Sequence, residues 1–299
     1  MGAALSFPRV VARLAAPALD VWLPPGSDLA SAAATITDVV IGAHPDDVED
    51  LGLHVIGAAR HQPQRAVAAI VVTDGAGSTR DGGAIDDDVL VARRRGEQRR
   101  AAEVGGYGLA LQLGYPSRVA KGEGFASVVA DLAALLAALP RPHEVVTHNP
   151  VDKHDTHVAT VAATVAALRA HPASRPDRFV GMEGWRDLDW LSDGAKVRID
   201  VSSLSGLAAD LWACFPSQVA DKHYPLAVAG RRQANATLFA PRDGDAAEAV
   251  SVGIDLMPLL DDDRLSLESF VARHIDRFAA DARSVAASFD LRLPPSQHG

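Results

Sequence analysis

Cysteine is almost absent. Cys214 is the only one in 299 residues, so no intrachain disulfide can form and nothing points to an oxidising compartment. Its neighbours Trp212, Ala213 and Phe215 mark it as a buried thiol rather than a reactive one. Long apolar runs are also missing: none approaches the roughly 20 residues that cross a membrane. Met1 to Asp20 sets Arg9 and Arg13 among short apolar pieces and lacks the uninterrupted stretch of a signal peptide. A cytoplasmic protein is the expectation. There is no basic excess: 29 Lys and Arg face 38 Asp and Glu, a net charge of −9. That balance excludes a broad polyanion surface of the kind nucleic acid needs. No Ser sits in a Gly-x-Ser-x-Gly turn, and the chain shows no repeat or low-complexity segment.

What is present is an alternation of strands and helices. Apolar runs at Val39–Ile41, Val67–Thr73, Leu109–Leu113 and Glu144–Thr147 read as buried strands. Between and after them, 51–61, 91–104, 123–139 and 156–170 read as helices. The alternation implies right-handed crossovers and a mainly parallel sheet flanked by helices, an α/β fold. Beyond 175 the pattern loosens: strands are expected near 179–184 and 196–201, and helices near 203–215, 225–240 and 266–288. The last helix sets Leu267, Phe270, Val271, Ile275, Phe278, Ala282 and Val285 on one face. Residues 1–34, broken by Pro24-Pro25-Gly26, read as an extension. Residues 35–299 read as one domain. Residues 75–90, rich in Gly and Asp, read as a loop able to cover a site.

The chemistry concentrates at strand ends. Ala43-His44-Pro45-Asp46-Asp47 follows the first strand, where open α/β sheets bind ligands. His44 and Asp47, three apart, can aim at one point, while Asp46 is free for a second role. A divalent metal needs such a set: an imidazole, a carboxylate, and a base beside an open coordination position. The competing reading is an acidic helix cap. Two features favour a metal. His44, Asp46, Asp47, Glu49 and Asp50 crowd one turn, which is unfavourable without a cation. His154 and His157 follow the fourth strand and come to the same sheet edge.

Taken together, these motifs resemble the LmbE-like, or PIG-L, N-acetylglucosaminyl deacetylases. The resemblance rests on Ala43-His44-Pro45-Asp46-Asp47 with Glu49, on Thr73-Asp74-Gly75-Ala76-Gly77, on Arg94 and Glu97, and on His154-x-x-His157. A fainter match is Phe215-Pro216-Ser217-Gln218. The resemblance spans about residues 36–165. It implies a Rossmann-like fold and one Zn2+ per chain, with another divalent metal also compatible. By position it implies His44, Asp47 and His157 as zinc ligands and Asp46 as general base. It implies protonated His154 against the oxyanion and Arg94 facing the sugar. The substrate implied is a small-molecule amino-sugar conjugate that loses its N-acyl group. The sequence leaves open hydrolysis of another amide or ester, or sugar binding without catalysis, and it leaves homo-oligomerisation open.

Three departures from the family pattern stand out. Val48 separates Asp47 from Glu49. Asp155 and Thr156 are transposed relative to the usual His-x-Asp-His, so the carboxylate that should orient a histidine is not evident. Ser117 stands where many members carry a sugar-binding Asp after the third strand, which favours a bulkier conjugate over free N-acetylglucosamine.

Overall fold

Eight strands form one sheet in the order β1-β4-β3-β2-β5-β6-β8-β7. In chain order they are β1 Asp20–Trp22, β2 Asp38–Gly42, β3 Val67–Thr73, β4 Leu109–Tyr115, β5 Glu144–His148, β6 Arg178–Met182, β7 Lys196–Asp200 and β8 Val250–Asp255. The computed structural model describes residues 6–76, 86–219, 222–238 and 247–289. Most of the loop expected over 75–90 lies outside these residues.

The central strands β4, β3, β2, β5 and β6 are mutually parallel. Their near-continuous Val, Ile, Leu and Ala content fits strands covered on both faces. Alternate side chains feed two apolar clusters: Val39, Ile41, Ile70 and Val145 belong to one, Val40, Val71 and Val146 to the other. This is the α/β sheet expected, with an antiparallel strand at one edge and an antiparallel pair at the other. From β2 the chain winds outward through β3 to β4, then returns to place β5 on the other side of β2. The boundary between β2 and β5 is therefore the topological switch point, where such sheets open a crevice at the carboxyl ends of their strands.

Two regions depart from expectation. The segment expected as an extension is built into the domain: β1 pairs with β4, and Phe7 and Val11 join the core. Three half-buried residues are too short a strand to show a period of two. The final helix, Leu267–Ala287, forms where expected, but of its apolar face only Phe270 is buried. Ile275, Phe278 and Val285 remain 44%, 45% and 65% exposed. Helical periodicity fixed the element without fixing a partner for its face.

Candidate metal centre and catalytic cleft

The end of β2 is pinned from both sides. Thr73 on β3 donates its backbone N–H and its hydroxyl to Ala43 O at 2.8 and 2.7 Å. Thr147 on β5 donates to Ile41 O at 2.9 Å. The chain then turns sharply, with Asp47 Oδ2 accepting from His44 N at 2.6 Å. Asp46 takes φ 91°, ψ −24°, the only non-glycine residue at positive φ among those described. Asp tolerates that region better than most residues, yet the strain still costs about 1–3 kcal/mol. Asp46 starts the helix Asp47–Leu51 without its side chain capping it, and the carboxylate lines the clefts on both sides.

Three of the proposed ligands converge. His44 Nδ1 lies 3.2 Å from His157 Nε2 and 3.3 Å from Asp47 Oδ2, and His157 Nε2 lies 3.6 Å from Asp47 Oδ1. Donors held about 2.0–2.2 Å from one tetrahedral ion stand roughly 3.3–3.5 Å apart, so each pair is near ligand spacing, the two histidines facing different oxygens of Asp47. In each of two overlapping triads, His44–His154–His157 and Asp47–His148–His157, the ligand atoms lie within 4.8 Å of one another. His148 is the weaker ligand of these. Ala43 donates its N–H to His148 Nε2 at 3.0 Å, which commits that lone pair. The ring instead stacks on His157, centroids 3.9 Å apart.

Electrostatics suit a cation. Asp47 is partly buried, and burial opposes its ionisation. The rings of His157 and His148 nonetheless hold its carboxyl well below the usual range. Burial, with His148 beside it, pushes His157 down from 6.5 to about 4. The ring is therefore neutral, as a ligand must be. Asp46 goes the other way: burial, then Asp47 and Glu49, raise its carboxyl well above the usual range, which makes it the more basic carboxylate of the pair. His154 is exposed, with its ring centroid 4.8 Å from those of both His44 and His157. Burial and His44 lower its basicity, which works against the protonated form expected from the sequence.

The carboxylate nearest the far side of the His157 ring is Asp152. Its side chain is fully buried, and Oδ1 stands 3.3 Å from His157 Nδ1, close to the ring but off the line of a straight hydrogen bond. Oδ1 also accepts from His154 N, and Oδ2 from Trp185 N, both at 3.0 Å. One carboxylate thus ties a ligand, the neighbouring His154 and the cleft wall. Its sequence signal is the acidic residue five before His157, beside a proline-containing turn.

Arg94 and the faint Ser-Gln motif meet. Arg94 is buried. It donates through Nη1 to Gly75 O and through Nη2 to Gln218 Oε1, the latter at 3.0 Å. Gln218 Nε2 in turn reaches Pro45 O at 3.1 Å. Ser217 donates its N–H, at 2.9 Å, and its hydroxyl to Glu97. Gly75 sits at φ +76°, and a Cβ there would come within 2.9 Å of Arg94 Nη1, so glycine serves both the backbone and the arginine. Arg94 therefore braces the turn as well as lining a cleft. Glu49 is the buried acceptor of Tyr107 Oη at 2.6 Å and Gln98 Nε2 at 2.7 Å, and burial pushes its carboxyl up to about 7. Ser117 begins a short helix after β4 and lines neither cleft beside the cluster.

Those two clefts flank the cluster. One, of about 70 Å³, gathers the polar side chains of His44, His154, Arg94, Gln218 and Lys222 in its wall. The other, of about 120 Å³, runs past Asp46, Asp47 and His157 along the helix Tyr224–Leu238. Trp185 and Tyr224, packed edge to face with centroids 4.6 Å apart, line both.

Comparison with known proteins agrees with this fold. No curated protein matches the chain. Among solved structures, it is similar to the N,N'-diacetylchitobiose deacetylase of Pyrococcus horikoshii at 17% identity and TM-score 0.56, covering 72% of this chain and 83% of that one. It is similar to the A40926 pseudoaglycone deacetylase at 18% and 0.56, covering 74% and 97%. It is equally similar to the 4-carboxy-2-hydroxymuconate hydratase of Pseudomonas putida at 16% and 0.57, covering 74% and 96%. At such identities these likenesses establish the fold, which hosts more than one reaction. The family model for GlcNAc-PI de-N-acetylases, PIG-L, matches residues 39–168, the stretch that carries His44, Asp46, Asp47, Arg94, His154 and His157. Over residues 39–168 this chain matches the PIG-L (LmbE-like) family.

Proposed function

We propose that this chain is a divalent-metal-dependent deacetylase that removes the N-acetyl group from an N-acetylglucosamine-type conjugate. One observation carries the reading. Two histidines and an aspartate from two neighbouring strand ends stand 3.2–3.6 Å apart, beside a second carboxylate, Asp46, that lines both adjoining clefts. Binding alone would not need that second carboxylate. The family match and the deacetylases among the structural relatives support the same reaction class.

His44, Asp47 and His157 would hold the ion, zinc being the one that best suits two imidazoles and a carboxylate. When bound, it would supply an activated water and positive charge for the carbonyl oxygen. Asp46 takes the proton of the attacking water and can return it to the departing amine. His154, whose ring stands 4.8 Å from those of His44 and His157, would face the carbonyl oxygen of an amide held over the ligand set. As a neutral ring it donates one N–H, the kind of contact worth roughly 3–4 kcal/mol in a transition state. Asp152 fixes the His157 ring. The donors Arg94, Gln218 and Lys222 wall the polar cleft, which suits hydroxyl-rich sugar. No described helix is long and apolar enough to cross a membrane, and a small-molecule conjugate is the proposed substrate.

Acetate release from a panel of N-acetylated amino sugars, with added zinc and with a chelator, tests the reading. Metal-dependent release is expected. Stoichiometric metal binding without release from any member would redirect the assignment to another amide or an ester.

A further inference from the structure

The 120 Å³ cleft is larger than an acetyl group requires. A single water needs about 10–15 Å³ measured the same way, and a methyl is of similar size. The cleft therefore has several times the room that the methyl of an acetyl group fills. Its walls differ from those of the polar cleft. Leu51, Trp212 and Val228 line it, with Ala227 at the surface and the Trp185–Tyr224 pair between the two. Tyr224, Ala227, Val228 and Arg231 come from one face of a single helix, at the spacing i, i+3, i+4, i+7. Asp50 and Arg231 line both this cleft and a small adjoining cavity, so charge forms the part of its wall that faces that cavity. Asp50 is held there by Arg232 at 3.0 Å.

An amide over the metal ligands has two arms. Its amine arm carries the sugar, which the donors of the polar cleft suit. Its acyl arm must leave the carbonyl in another direction, and the largely apolar cleft beside Asp46 and His157 is the space available. We propose that this cleft is an acyl-binding site, and that the enzyme prefers N-acyl groups of several carbons, aliphatic or aromatic, over N-acetyl. The inference rests on the metal-dependent amide hydrolysis proposed above and widens its acyl group beyond acetyl. Each methylene moved from water into such a cleft is worth roughly a fourfold gain. The gain should stop where the chain meets Asp50 and Arg231.

The test is a series on one sugar: glucosamine bearing N-acetyl, N-butanoyl, N-hexanoyl, N-decanoyl or N-benzoyl groups, assayed for free amine with zinc-loaded enzyme. The expected result is kcat/KM rising at least tenfold from acetyl to hexanoyl, then levelling or falling at decanoyl. Ala227→Trp, at an exposed position, should lower the hexanoyl-to-acetyl ratio at least fivefold. Acetyl cleaved best, or a ratio unmoved by Ala227→Trp, would overturn the acyl-site inference while leaving the hydrolase reading intact. A preference set by an alkyl group at C1 rather than on nitrogen would assign the cleft to the aglycone and also overturn it. Failure to cleave any member, with metal bound, would instead strike the underlying reading.

Discussion

Replacing Asp152 by Asn tests whether one buried carboxylate organises the metal centre. In the native protein burial opposes ionisation of Asp152, but the His157 ring and the N–H of His154 hold its carboxyl below the usual range. The anion accepts from His154 N and Trp185 N and faces His157 Nδ1 at 3.3 Å. An amide of the same shape has one oxygen and one NH2 group, so it must turn donors toward either the His157 ring or a backbone N–H. A carboxylate behind a ligating histidine is typically worth 10–100-fold in metal affinity. A buried N–H left without its acceptor costs about 1–3 kcal/mol. Asp152→Asn should therefore weaken zinc binding 10–100-fold and destabilise the metal-free fold by about 1–3 kcal/mol. Competition with a chromophoric chelator gives the first quantity and urea denaturation of the metal-free protein the second. Wild-type zinc affinity within twofold, in a folded variant, would refute an orienting role for Asp152.

Further expectations follow from the same geometry. Asp47→Ala should lose metal and activity together, whereas Asp46→Asn should retain metal and lose about 10²–10⁴-fold in rate; metal analysis and a single-substrate assay on both separate ligand from base. Gln218→Ala removes the acceptor of Arg94 and the donor to Pro45 O, and should cost about 1–3 kcal/mol of stability as well as activity. Equal denaturation midpoints would show that the Ser-Gln segment is not bracing the turn. Burial pushes the Glu183 carboxyl from 4.5 up to about 7. Protonation therefore favours the folded state below about 4.5, and that contribution, about 3 kcal/mol, fades as pH rises through 7. Glu183→Gln should flatten the loss of stability between pH 5 and 8 by about that amount, as measured by denaturation at both values.

The strands that carry the chemistry were legible because they are continuous apolar runs ending in polar turns. Val67–Thr73 and the end of β5 before His148 lie within a residue of where the pattern puts them. The meeting of the two polar turns was legible for a related reason. Parallel strands bring sequence-distant turns to one edge, and 113 residues separate His44 from His157. What escaped depended on tertiary contact. β1 is three residues long, and β8 mixes Ser and Gly among its Val and Ile residues. Asp152 earns its role only when the turn after β5 folds its carboxylate under His157. Arg94 read as a group facing the sugar, but it is buried and bonded to Gln218. The acyl cleft needs Leu51, Trp185, Trp212 and Tyr224 side by side, and no local pattern joins them.

The central claim, that His44, Asp47 and His157 hold a catalytic ion, is tested most directly by anomalous scattering from crystals of the zinc-loaded protein. The account predicts one strong peak about 2.0–2.2 Å from His44 Nδ1, His157 Nε2 and an oxygen of Asp47, with Asp46 near it but not bonded. No peak at this cluster, or one held by His148 in place of His44, would contradict it.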